Sequence, residues 1–232
     1  MKIVKIHRKY LINKINVLLF IFIVFVEILI CFLSINRLKL EYNWFEGKIA
    51  STSYLETNLM YYKLVVINLI CFIWGNSFTK NANSYHLLVT GYQRQKFKYI
   101  LSKLLMLIII TVSLILISFY LMSLIGVICC NFISIDKIIL ELFINVLLIC
   151  IIYGLLSSVF SILINNQYAC FLSSGIFVLC ELISDSFNDI KLFYVFFPGL
   201  ALNYDLCFGM IHLLFISIIY VFLVVFVYVY KK

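Results

Sequence analysis

Residues 99–129 read YILSKLLMLIIITVSLILISFYLMSLIGVIC and contain one charged side chain, Lys103, with no acid. A helix needs about 20 apolar residues to cross the hydrocarbon layer of a bilayer. This run is longer than one perpendicular crossing, so it is expected to start below the membrane and rise into it, or to tilt. Five further apolar segments can be laid out on either side, over about 15–35, 61–78, 138–164, 168–183 and 210–230. Residues 1–232 therefore read as a single all-α, polytopic membrane domain of six transmembrane helices.

The charges around these spans orient the chain. The Lys and Arg residues of the amino-terminal arm, of the segment Lys80–Lys103 and of the pair Lys231–Lys232 have no acid beside them. Seven acids in or bordering loops (Glu41, Glu46, Glu56, Asp136, Asp185, Asp189 and Asp205) fall in the other three connections. Cytoplasmic loops carry the excess of Lys and Arg. Both termini are expected inside, which also requires an even number of helices. The loops containing Arg94 and Asn165–Asn166 then lie inside, and those containing Glu41, Asp136 and Asp189 outside.

Composition points the same way. The chain is 65% hydrophobic and 12% charged, about half the charged share of an ordinary soluble domain. A net charge of +8 in a soluble chain would suggest nucleic acid. Here the basic residues flank apolar spans, so membrane lipid headgroups are the expected partner and nucleic acid is not. The spans and short loops leave no room for a soluble catalytic domain. Of the eight cysteines, Cys31, Cys71, Cys150, Cys170 and Cys180 lie within apolar spans and Cys129–Cys130 close another. No C-x-x-C pair is present to suggest zinc or redox work, so they read as small packing hydrophobes.

Two segments are amphipathic rather than spanning. Lys2, Lys5 and Lys9 recur at helical spacing in the amino-terminal arm, as in a short helix on the inner membrane surface or a plain basic anchor. Ser184–Gly209 mixes acids with Phe187, Leu192, Phe193, Val195, Phe196 and Phe197. It reads as one or two short helices lying in, or re-entering from, the outer leaflet, broken at Pro198–Gly199.

The most specific stretch is the connection from Phe78 to Lys103. Ser84 can cap a short helix holding Tyr85, His86, Leu87 and Leu88, and Gly91 can end it in a left-handed conformation. A second helix then carries Arg94, Phe97 and Lys98 toward Lys103, with Arg94 and Lys98 on one face. The product is a partly apolar knob under a basic collar, suited to docking in a groove of a soluble partner.

Over Leu87–Leu105, LLVTGYQRQKFKYILSKLL, the chain resembles the permease subunits of ABC-2 type exporters, most of all those of bacterial lantibiotic self-immunity systems. In that family a Leu-Leu pair, a small turn, an Arg, an aromatic or aliphatic residue and a Lys open the third membrane helix. The chain length, the six spans and the apolar segment with Pro198 after the fifth span resemble the family as well. Many members carry a Glu and a Gly-Thr turn before the Leu pair, where this chain has Asn81–His86 without an acid. The resemblance implies a coupling helix contacting a separately encoded cytoplasmic ATPase through Tyr85, His86, Leu87, Leu88, Gly91 and Arg94, with Lys98 and Lys103 at the inner membrane boundary. It also implies a homodimer or heterodimer with a second permease, a multi-pass place in a bacterial plasma membrane, and export of an antimicrobial peptide or another amphiphile.

The chain itself is expected to be no enzyme and to hold no cofactor or metal. A P-loop needs G-x-x-x-x-G-K-[ST], and Gly47–Lys48 is followed by Ile49; ATP and Mg²⁺ would belong to the partner ATPase. Acids inside apolar spans usually face a cavity or a partner, because a charge at the bilayer centre costs about 2.5–3.5 kcal/mol on insertion scales. Glu27, halfway along the first span, is a candidate for lining a substrate path or for a protonated, hydrogen-bonded structural role. Glu141 and Glu181 lie near the outer ends of the fourth and fifth spans, Glu181 and Pro198 being further candidates for the path. Asn68, Asn76 and Asn145 read as interhelical glue. Two alternatives remain. One is an intramembrane peptide-processing enzyme, for which Cys207 and His212 are the nearest pair of reactive groups. The other is an ATP-independent membrane scaffold or immunity protein.

Overall fold

The computed structural model describes residues 14–41, 51–79, 93–130, 137–164, 167–186 and 206–230, all of them helical or in helix-end turns. Among the described residues six α-helices follow one another: α1 Lys14–Glu41, α2 Ser51–Ser77, α3 Gln93–Cys130, α4 Lys137–Ile164, α5 Cys170–Ser186 and α6 Leu206–Tyr230. A single 3₁₀ turn, Gln167–Ala169, leads into α5. Three helices carry apolar stretches long enough to cross a membrane: Lys96–Val127, Phe143–Ile164 and Gly209–Tyr230. Shorter apolar stretches, Ile21–Ile35, Val65–Ser77 and Cys170–Cys180, belong to α1, α2 and α5.

α2, α3 and α4 pack against one another, and each of the other helices covers one groove of that triangle. α1 lies against α2 and α3, α5 against α2 and α4, and α6 against α3 and α4. One continuous core runs through the bundle, from Ile23 and Ile30 of α1 through Trp74, Leu107 and Tyr153 to Val224 of α6. A smaller cluster of Cys31, Ile35, Tyr54 and Met122 closes the end where α1 finishes and α2 begins. The outer surface is equally apolar, with Phe22 and Phe25 on α1 and Ile211, Phe215, Phe222 and Phe226 on α6 all exposed. An exterior of large hydrophobes together with helices of this length is that of a membrane protein, since soluble monomers rarely expose apolar patches beyond a few hundred Å².

Small residues let the central helices approach closely, as is usual in membranes. The faces of the Trp74 indole lie where a β-carbon on Gly154 would come within 2.7 Å of them. At Gly75 a β-carbon would meet Cys170 Cβ at 2.6 Å and Ser157 Oγ at 2.7 Å. With backbones this near, serine hydroxyls reach across: Ser157 donates to Cys71 O at 2.6 Å and Ser161 to Gly75 O at 2.7 Å, both from α4 to α2. Trp74 Nε1 donates to Thr111 Oγ1 on α3 at 2.8 Å, and Tyr54 OH to Met122 O at 3.0 Å. These hydroxyl and indole donors tie α2 to α3 and α4. Of the asparagines expected to join helices, Asn145 has its Oδ1 buried without a hydrogen-bond partner among the described residues.

The helix limits differ from hydropathy in several places: α1 runs on to Glu41, past the apolar run that ends near Ile35, and α6 starts already at Leu206. α2 begins at Ser51, ten residues before the apolar run, because Ser51–Thr52–Ser53 followed by Glu56 is a pattern favoured at helix starts and because Tyr54 and Asn58 are buried in the bundle. α5 begins only after the 3₁₀ turn, at Cys170. The amino-terminal arm, residues 80–92 and residues 187–205 (with Pro198) lie outside the described residues, so the surface helix, knob and re-entrant segment expected there do too.

Candidate functional site

The end of the bundle where α2 finishes and α3 starts carries the connection singled out by sequence. α2 closes with a tight turn: Phe78 N donates to Gly75 O at 3.1 Å, Thr79 N to Asn76 O at 3.4 Å, and Thr79 Oγ1 to Asn76 O at 3.0 Å. Ser77 Oγ donates back to Ile73 O at 2.7 Å. The last carbonyls of a helix have no partner within it and carry the negative end of its dipole.

Lys103 supplies what that end needs. Long side chains on a helix point back toward its amino terminus, so Lys103 of α3 reaches down to the finish of α2. Its Nζ donates to the Ser77 carbonyl and lies 4.5 Å from the centre of the Phe78 ring and 5.7 Å from that of Tyr99. The side chain is only 4% exposed. Tyr228, near the end of α6, completes the cluster, edge-on to Phe78 at 6.3 Å and stacked with Tyr99 at 6.4 Å. An ammonium over aromatic faces gains about 0.5–2 kcal/mol, the larger figure when water is excluded.

Of the residues expected at the coupling knob, Tyr85, His86, Leu87, Leu88 and Gly91 lie outside the described residues. Arg94 stands in the first turn of α3, where the backbone alone is described. Lys98 is exposed, and Lys103 is buried against the end of α2. Sequence reasoning missed Ser77, Phe78, Tyr99 and Tyr228 as its companions. Tyr99 precedes Lys103 by four positions and was a readable signal; nothing in the sequence linked Tyr228 to them.

Glu27 is enclosed. It is 1% exposed on the face of α1 that packs against the bundle, and Ser118 of α3 offers it a hydroxyl. Its Oε2 has no hydrogen-bond partner among the described residues, nor has Oδ1 of Asn58, a buried residue of the neighbouring α2. Glu181 lies on α5 and Glu141 near the start of α4 as backbone positions only. His212 is half-buried on α6, while the Cys207 side chain lies outside the described residues. Among the described residues no group of three His, Cys, Asp or Glu side chains is arranged to hold a metal ion. Cys71, Cys150 and Cys170 are buried thiols in the packed interior.

The chain matches no known family model, no curated protein and no solved structure.

Proposed function

We propose that this chain is the membrane-spanning permease subunit of an ATP-driven exporter of the ABC-2 type, working with a separately encoded cytoplasmic ATPase and a second permease copy or a similar partner. In this reading both termini face the cytoplasm of a bacterial plasma membrane, and residues 80–92 form the prong that meets the ATPase through Tyr85, His86, Leu87, Leu88 and Gly91. ATP and Mg²⁺ act on the partner, and closure of two ATPases on ATP pushes the prongs and opens the outer half of the paired bundles. The cargo is an antimicrobial peptide or another amphiphile, with Glu27, Glu181 and Pro198 along its path.

One observation supports the reading: the connection whose sequence resembles a coupling helix joins α2 to α3, and the end of α2 packs on α3 ten residues past its start. Phe78 at the end of α2 and Lys103 of α3 are in direct contact there, so a push on residues 80–92 acts on two helices of the central triangle at once. The uninterrupted basic charge of Lys80–Lys103 supports a cytoplasmic location for it.

The test is copurification from the native membrane. An ATPase is expected to accompany the intact chain, and Leu87→Asp with Leu88→Asp is expected to release it while membrane insertion is retained. Copurification unchanged by that double substitution, or no ATPase at all, would overturn the proposal.

A further inference from the structure

We infer that Lys103 is a positioning residue that clamps the two stems of the 80–92 connection, the end of α2 and the first turns of α3, to each other so that they move as one body. Three independent contacts converge on it. The ammonium caps the α2 carbonyl at Ser77, covers the ring of Phe78 just beyond that helix end, and sits one turn above Tyr99 on its own helix. Tyr228 then bridges Phe78 and Tyr99 from α6. The first two contacts join α2 and its exit turn to α3, the third lies within α3, and the Phe78 and Tyr99 rings that Lys103 touches are in turn tied to α6 by Tyr228.

The chemistry explains why a lysine stands at this depth. A buried ammonium needs acceptors to offset lost hydration, and a helix carboxyl end flanked by two aromatic faces provides a carbonyl and two π-surfaces. A methionine of similar length would fill the space but leave the Ser77 carbonyl without that donor. Without the clamp the α2 exit turn loses the Lys103 contacts that hold it to α3.

The mechanical consequence rests on the proposed exporter function, whereas the clamp itself does not, and the experiment separates them. Amide hydrogen exchange is measured on the full chain in lipid nanodiscs without any partner. Lys103→Met is expected to raise exchange at the Phe78 and Thr79 amides about tenfold, the scale of losing a charge-assisted bond. Phe78→Leu is expected to raise Thr79 exchange about threefold, as for one cation–π contact. Exchange unchanged in these variants overturns the clamp, and should Lys103→Met fail to insert, Phe78→Leu and Tyr228→Leu decide it. In the copurified complex, Lys103→Met is expected to retain the ATPase but to lose at least half of the permease-dependent change in ATP turnover. Raised exchange with undiminished coupling overturns the mechanical role alone. Raised exchange with no ATPase ever bound leaves the clamp standing and removes the exporter reading.

Discussion

α4 and α6 are nearly interchangeable as apolar segments, yet they occupy opposite situations. Within the spanning stretch of α4, 78% of residues are buried inside the bundle, against 17% for α6. Hydrophobicity does not separate them, because lipid tails and a protein interior are equally apolar. Small and hydroxylated residues do. α4 presents Gly154, Ser157, Ser158 and Ser161 in two turns, all wholly buried or in close contact with α2. α6 offers bulky Phe, Val and Tyr, and its Ser217 bonds only its own helix at Leu214 O, 2.7 Å away. Position in a membrane bundle follows from how near a backbone can be approached, not from how apolar its side chains are.

The sharpest way to break this comparison is to add one carbon to each helix. Gly154→Ala puts a methyl against the Trp74 indole and is expected to cost about 1–3 kcal/mol, as overpacking does, read by denaturant unfolding in detergent. Gly209→Ala on α6 meets nothing within 4 Å among the described residues and is expected to be neutral or mildly stabilising. Equal responses at the two sites would remove close approach as the distinguishing cause.

Next in size is the polar exception on α1. Glu27→Leu eliminates a buried oxygen without a partner among the described residues and is expected to gain about 1 kcal/mol of unfolding stability. If transport falls while stability rises, Glu27 is kept for function; if stability falls, its bond with Ser118 outweighs the buried orphan.

Smaller again are the serine bonds. Ser157→Ala and Ser161→Ala are each expected to lose about 0.6 kcal/mol, the mean for interhelical bonds in a bilayer, while Ser217→Ala on α6 changes nothing measurable. The smallest effect belongs to the lipid face, where Phe222→Leu is expected to stay within about 0.5 kcal/mol of the parent.

The sequence of this chain determined by itself that it forms six apolar helices with charged, asymmetric connections, because a run of some twenty hydrophobes with few charges has one low-energy setting near water and lipid. It marked the 78–103 connection as the unusual one, and the third helix starts at Gln93 much as the Gly91–Gln93 turn indicated. It gave no means of ranking the helices by depth, since α4 and α6 look alike in hydropathy. Nor did it reveal that Lys103, which reads as one more boundary lysine, is buried on the Ser77 carbonyl beside the rings of Phe78 and Tyr99. Those features come from side chains far apart in the chain: Trp74 on Gly154, Ser161 on Gly75, and Tyr228 beside Phe78 and Tyr99. Tertiary structure alone decides them, because packing energy depends on which surfaces meet, and a local pattern of apolar residues fixes the surface of each helix without naming its neighbour.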